Sequence, residues 1–290
     1  MNTIWSKYVQ GTGTLYLSRK LRFDDMFATQ YKSTFNLDEK ENLKLLEIGC
    51  GPGALAGALH RWYPNYEITG IDRDSEFIRF AKENEKGINF FEGDATALPF
   101  ENNTFDVTIS NTVSEHIEPS KFYSEQLRVL KPGGVCLVLS SRKGINTIPS
   151  CITFNNFEQQ FWKKANKYDN STEKYLVCQY PMSETELPIA MQEYGFENIT
   201  TGFATIDLTP DNPKYPPSMA YDMINANRQT TLDGIYAVLN NMPQHFSKQD
   251  IEIMKQLTNV KYDERINKYN NGEKFWETDV SIIMIVRGIK

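Results

Sequence analysis

The stretch "LLEIGCGPGAL", Leu45 to Leu55, decides the fold. An apolar run enters it, glycines at Gly49, Gly51 and Gly53 turn the chain, and the small-residue segment "ALAGALHRW" leaves it. Strand, glycine turn and Ala-rich helix in that order describe a unit whose backbone approaches a ligand closely at a helix N-terminus. Two readings of the loop compete. As Gly49-x-Gly51-x-x-Ala54 it satisfies the pattern that cradles a dinucleotide pyrophosphate. As Glu47-x-Gly49-x-Gly51-x-Gly53 it sets an acid beside the glycines, which a pyrophosphate would not want.

Outward from this loop, short apolar runs alternate with helix-like segments from Lys44 to Ser140, the signature of a parallel sheet buried on both faces. The pattern predicts strands at Lys44 to Ile48, Glu67 to Ile71, Ile88 to Glu92, Phe105 to Ser110 and Val135 to Ser140. Helices are predicted at about Ala54 to Trp62, Ser75 to Asn84 and Lys121 to Leu130; Tyr123, Leu127 and Leu130 share one face of the last. "KPGG", Lys131 to Gly134, reads as the turn that ends it. Further on, Thr185 is the better of two helix caps, because Pro188 then lies in the first turn. Asn198 to Leu208 and Asp279 to Gly288 read as strands that pair antiparallel at one edge.

The expected fold is therefore α/β, a doubly wound, Rossmann-like and mostly parallel sheet with an antiparallel edge hairpin and helical lid insertions. Its parts are an N-terminal helical cap (1–42), a ligand-binding core (43–144), a lid insertion (145–182), the rest of the core sheet (183–208 and 277–290) and a helical insertion over the active site (209–276). The bulk numbers agree with one decorated soluble domain: 290 residues, 40% hydrophobic, 23% charged. No apolar run reaches the ~18 residues of a membrane span and the N-terminus lacks a secretory pattern, so the expectation is a cytoplasmic protein without a membrane partner. A net charge of -6 disfavours nucleic acid. Cys50, Cys136, Cys151 and Cys178 contain no C-x-x-C pair, so no metal site is expected.

Chemistry in such a sheet belongs at the carboxyl ends of the strands. There the chain carries Asp72 in "ITGIDRD", able to accept both hydroxyls of a ribose, Asp94 in "EGDATALPF", placed to meet an adenine amino group, and Asn111 in "SNTVSEHI". Together with "LLEIGCGPG" and "RVLKPGG", these motifs resemble class I S-adenosylmethionine-dependent methyltransferases, and within that class the small-molecule branch that includes quinone-biosynthesis methyltransferases. The resemblance covers Leu43 to Ser140 closely. It implies a seven-stranded sheet, and roles position by position. Glu47 and the loop Gly49, Cys50, Gly51 and Gly53 hold the methionine end of the cofactor, Asp72 the ribose, Asp94 and Ala95 the adenine, and Asn111 the methionine portion through its backbone. Arg73 flanks the adenine.

Elementary electrostatics favours this reading over NAD. A sulfonium and an ammonium are cationic, so Glu47 is favourable beside them and unfavourable beside a pyrophosphate. Pro52 also removes one N–H from the loop. Asp72 serves either cofactor.

The expected activity is methyl transfer to O, N or C of a small molecule by in-line displacement, mainly through positioning, with S-adenosylhomocysteine as the product. Of three histidines only His116 lies at the cleft, either as a general base or as a shaper of its loop. Trp5, Tyr8, Tyr16, Phe23 and Phe27, then Phe154, Phe157, Phe161 and Trp162, then Tyr215 and Tyr221, either line an acceptor pocket or form the cores of their caps. Arg19 and Arg22 either meet an anionic group or sit in a solvated basic turn. A monomer or homodimer is expected. The alternatives are a non-catalytic S-adenosylmethionine-binding or assembly protein, and an NAD-dependent oxidoreductase, for which the Tyr-x-x-x-Lys pair is missing at Tyr123.

Overall fold

The computed structural model describes residues 5–39 and 42–290. After helices α1 (Thr12–Arg22) and α2 (Ala28–Phe35) the chain enters the sheet through β1 (Lys44–Ile48), α3 (Ala54–Trp62), β2 (Glu67–Asp72), α4 (Ser75–Asn84), β3 (Asn89–Glu92) and β4 (Phe105–Asn111). It continues through α5 (Pro119–Val129), β5 (Leu130–Asn146), α6 (Asn156–Tyr168), α7 (Ser171–Lys174), α8 (Glu186–Glu193) and β6 (Glu197–Asp207). Last come α9 (Pro217–Asn241), α10 (Lys248–Asn270) and β7 (Asp279–Ile289).

The seven strands are ordered β3-β2-β1-β4-β5-β7-β6. The first five run parallel, and β7 is antiparallel to both β5 and β6. The order reverses between β1 and β4, so the loops that follow these two strands part to opposite faces and leave a crevice there. Both faces are covered, as the unbroken apolar strands require. Leu45 packs with Tyr31, Leu55 and Leu59 beneath α2 and α3, while its neighbour Leu46 packs with Phe122, Tyr123 and Leu187 beneath α5 and α8. A separate core unites α6, α9 and α10 around Phe161, Ile235, Phe246 and Met254.

Three local expectations are corrected. The fifth strand does not stop at Ser140: Ser141, Arg142, Ile145 and Asn146 continue to pair with β7 after β4 has ended opposite Leu139. "SSRKGIN" is polar because an antiparallel extension beyond the core needs no second buried face. The turn "KPGG" lies inside β5 as a bulge, with Leu130 opposite Phe105 and Val135 opposite Val107. There Gly133 takes φ +78° and donates to the Lys290 carbonyl. Thr185 occupies the cap position of α8 but makes no capping hydrogen bond; Ser183 Oγ accepts from Glu186 N–H, and Glu186 Oε2 accepts from Ser183 N–H.

The far insertion is tied down by a buried ion cluster. Arg265 of α10 donates to Glu277 at 2.7 and 2.8 Å and to Asp211 at 3.0 Å, and Asp211 also accepts from Phe275 and Trp276 N–H. Such a charge tolerates full burial only because it is paired on both sides.

Candidate active site

Every N–H in the glycine loop is already spent on the protein itself. Gly49 and Cys50 both donate to the Ile71 carbonyl (2.8 and 3.0 Å), Gly51 donates to Asp72 Oδ2 (2.8 Å), and Gly53 donates to the Cys50 carbonyl (3.0 Å). Pro52 has none to give. A pyrophosphate therefore finds no cradle in this turn. The N-terminus of α3, where the partial positive charge of a helix draws anions, holds the protein's own carboxylate: Ala56 N–H donates to Glu47. Glu47 is 2% exposed, lines the cavity, and its Oε2 has no partner among the described residues. Burial, then the nearby Asp72 carboxylate, push its pKa well above the ordinary carboxyl range. A cation brought to Oε2 relieves both penalties.

Asp72 ends β2 beside this loop. Besides Gly51 N–H it accepts from Asp74 N–H at 2.8 Å, and burial raises its pKa to about 6 against those two hydrogen bonds. Asp94 is exposed at the rim, where Oδ1 accepts from Thr96 N–H and Oγ in a tight turn of its own. Asn111 ends β4 with its Oδ1 buried and without a partner among the described residues. These residues, with Arg73 and Ala95, share the walls of one cavity of about 540 Å³ with Gly49, Cys50 and Gly51. Gly53 stands just behind as the α3 cap at φ +90°. Cys50 is a buried thiol held well above its ordinary pKa by burial, so it packs rather than reacts.

The cavity fits a ligand that brings hydrogen-bond donors, a cationic amino group among them. Its two orphaned buried oxygens, Glu47 Oε2 and Asn111 Oδ1, want donors. Gly51, at φ +53°, leaves open space: a Cβ there would meet nothing nearer than the Leu15 side chain at 3.7 Å.

Arg19, from α1, completes the wall. It is half-buried, donates to Thr112 Oγ1 at 3.2 Å, and makes no ion pair among the described residues. Burial and the neighbouring Arg22 lower its pKa to about 9, the mark of a cation kept short of an anion. Neither arginine is a solvated turn residue. Thr112 itself sits at φ +53°, a strained place for a β-branched side chain.

His116 lines the same cavity, under a roof of two segments. Nδ1 accepts from Cys178 N–H at 2.9 Å, and Trp5 stands edge-on against the ring at 4.8 Å. With Nδ1 accepting, the ring proton resides on Nε2. Burial, then Arg73, lower its pKa to about 4.

Several expected pocket residues lie elsewhere. Trp5 and Phe23 line the cavity; Tyr16 instead bonds Glu85, Phe27 and Phe161 are core, and no residue of 209–276, Tyr215 and Tyr221 included, reaches the wall. In their place stand Tyr175, Leu176, Gln179 and Tyr180, from a stretch with no periodic signal. Behind the wall Asp74, the cap of α4, accepts from both N–H and Oγ of Ser6 and so ties the Trp5–Val9 turn to the end of β2.

Comparison with known proteins bears on this geometry. Residues 46–138 match the family model described as a methyltransferase domain. The chain is 38% identical over 116 residues to a fatty-acid O-methyltransferase of Mycolicibacterium smegmatis, covering 39% of this chain and 42% of that one. It is 36% identical over 101 residues to a ubiquinone/menaquinone biosynthesis C-methyltransferase of Desulfotalea psychrophila, covering 34% and 41%. The chain thus spans about two fifths of the length of these relatives. Among solved structures it is similar to phosphoethanolamine N-methyltransferase 2 of Haemonchus contortus, solved with S-adenosylhomocysteine. That match has a TM-score of 0.54 at 16% identity and covers 99% of this chain and 59% of the other, which is a likeness of fold. No helix among the described residues is long and apolar enough to cross a membrane.

Proposed function

Because residues 46–138 carry a methyltransferase domain, we propose that this chain transfers a methyl group from S-adenosylmethionine to an apolar small molecule. The observation that carries the proposal is the Glu47 carboxylate at the α3 N-terminus, with one oxygen unpartnered and every loop N–H already used. In this reading Glu47 holds the ammonium, Arg19 the carboxylate, Asp72 the ribose hydroxyls, Asp94 and Ala95 the adenine, and Asn111 the methionine portion; Arg73 flanks the base. The bound donor supplies a methyl carbon on a sulfonium, open to attack by a nucleophile opposite the sulfur. The protein's own share is to hold that acceptor in line and keep water out.

Trp5, Val9, Leu176 and Tyr180 give the roofed side of the cavity an apolar face. A space of about 540 Å³ is that of one drug-sized ligand, so donor and acceptor share it only if the acceptor is small or trails out beneath the roof. The two curated relatives are named for a fatty acid and for quinone biosynthesis, and an apolar acceptor fits both names. His116 serves this site as a positioning donor through Nε2–H, since its basic lone pair is engaged by the roof.

Calorimetry with S-adenosylhomocysteine and with NAD tests the cofactor. Micromolar binding of the first and none of the second is expected; tight NAD binding without the homocysteine product overturns the reading. His116→Gln, assayed against a panel of fatty acids and quinols, is expected to lower kcat/KM less than about tenfold and to leave its pH profile between about 5 and 8 unchanged. Removal of a general base costs about 10²- to 10⁴-fold, and a loss of that size accompanied by disappearance of an acid limb would restore His116 as the base.

A further inference from the structure

The roof is built from two chain segments far apart in sequence, the π-helical turn Trp5–Val9 and the stretch 174–180, and neither has a core of its own. The turn buries none of its residues. In the second segment Leu176 and Cys178 both occupy the left-handed region, at φ +57° and +53°, which non-glycine residues hold only when their surroundings impose it. At the core end the imposing contacts are Cys178 N–H to His116 Nδ1 and Tyr180 N–H to the Glu115 carbonyl, each 2.9 Å. At the outer end Tyr8 stacks on Tyr175, centroids 5.3 Å apart at 19°.

One side chain bonds both segments. Asn241, the last residue of α9, accepts from Tyr175 Oη–H through Oδ1 at 2.6 Å and donates from Nδ2 to the Tyr8 carbonyl at 3.3 Å. The same helix holds the first segment once more, through Asn240 Nδ2 to the Lys7 carbonyl, and holds the chain just past it through Asp233, which accepts from Gly11 N–H at 2.9 Å. At 1.5 Å per residue, a 25-residue helix spans about 37 Å. The insertion that never reaches the cavity wall thus carries a long strut whose end is bonded to the roof.

Resting on the methyltransferase reading above, we infer that Asn241 is a positioning residue that clasps the two roof segments together and so sets how long a cofactor stays and how apolar acceptors are gripped. It touches neither. An amide suits the task because it offers one acceptor and one donor on a single rigid plane, one for each segment. Separating the two segments from each other at Asn241 breaks two neutral hydrogen bonds and a ring stack, and the strained Leu176 and Cys178 favour release once these part.

Dissociation of S-adenosylhomocysteine from the full chain, followed by stopped-flow tryptophan fluorescence, tests the clasp; Trp5→Phe assigns the signal to the roof. Asn241→Ala is expected to speed dissociation about tenfold, the effect of losing two neutral hydrogen bonds, and to raise acceptor KM with little change in kcat. Asn241→Asp, which keeps the acceptor for Tyr175 and lacks the donor to Tyr8, is expected to fall between. Tyr175→Phe alone speeds release, and in the Asn241→Ala background it adds nothing, because its partner is already gone. Melting temperatures report a merely structural role: loss of thermal stability with an unchanged off-rate overturns the inference, as do off-rates within threefold of the unmodified chain. If the unmodified chain itself binds no S-adenosylhomocysteine, the methyltransferase reading fails, and the clasp with it.

Discussion

Asp72→Ala is expected to raise the dissociation constant for S-adenosylhomocysteine at least 100-fold. The reason is the number and kind of bonds lost. A buried carboxylate that takes two ribose hydroxyls makes two charge-assisted hydrogen bonds of about 1.5–3 kcal/mol each, so even the lower figure, twice over, exceeds two orders of magnitude in affinity. Gly51 N–H also loses its acceptor, which loosens the loop on the same side of the cavity. Asp72→Asn keeps the shape and one acceptor oxygen and is expected to lie between. Calorimetry at neutral pH measures all three proteins, and an Ala variant within threefold of the unmodified affinity would remove Asp72 from the binding site.

The same carboxyl makes binding depend on pH. Burial raises its folded pKa to about 6, above the unfolded value, so the folded chain carries an extra proton between about pH 4 and 6. For stability the sign is that of a raised acid: its contribution to folding is present below about pH 4 and is lost as pH rises through about 6. For binding the sign reverses, because ribose hydroxyls donate to the ionised form. Affinity is expected to be flat above about pH 7 and to weaken by up to about tenfold per pH unit below about 6, with proton release on binding in that window. Asp72→Ala is expected to make this slope shallower, and what remains belongs to Glu47, whose pKa is also raised by burial.

Gly49→Ala is expected to cost about 3 kcal/mol of stability and most of the cofactor affinity. Two penalties combine. At φ +67° an L side chain costs about 1–2 kcal/mol, and the added Cβ would lie 2.4 Å from Val113 Cγ2, an overlap of the kind that costs about 1–3 kcal/mol in a packed interior. Val113 stands between Thr112 and the His116 turn, so the strain spreads to the wall that Arg19 and His116 complete. Denaturant unfolding gives the first quantity and calorimetry the second. Gly133→Ala is the control: it also has a positive φ, +78°, but meets nothing within 4 Å and lies in the β5 bulge. If both variants lose equally, the contact with Val113 carries nothing.

How far the sequence reaches can be seen residue by residue. Leu45 and Leu46 pack on opposite faces of the sheet as an unbroken apolar strand predicts, and the edge pair β6 and β7 is antiparallel as expected. Asp72, Asp94 and Asn111 line the cavity because strand ends at a switch point have nowhere else to face. Glu47 and Pro52 favoured a sulfonium over a pyrophosphate on charge and donor count alone. The loop hydrogen bonds supply the physical reason: the turn spends its donors on Ile71, Asp72 and Cys50, and a side-chain carboxylate takes the helix end.

Thr185, "KPGG" and the polar end of β5 mislead for one shared cause. Each is settled by a partner the local pattern does not contain, whether Glu186 reaching back to Ser183, Lys290 pairing across the bulge, or β7 returning from the far end of the chain.

By itself the sequence determined the strands, the turn and the acids at the strand ends, because period, φ preference and charge act between near neighbours. Only the tertiary structure decided what faces the ligand from above. Arg19 to Thr112, Cys178 to His116 and Asn241 to Tyr8 join positions 93, 62 and 233 residues apart. Such contacts form where folded surfaces meet, and they leave no repeat in the chain to announce them.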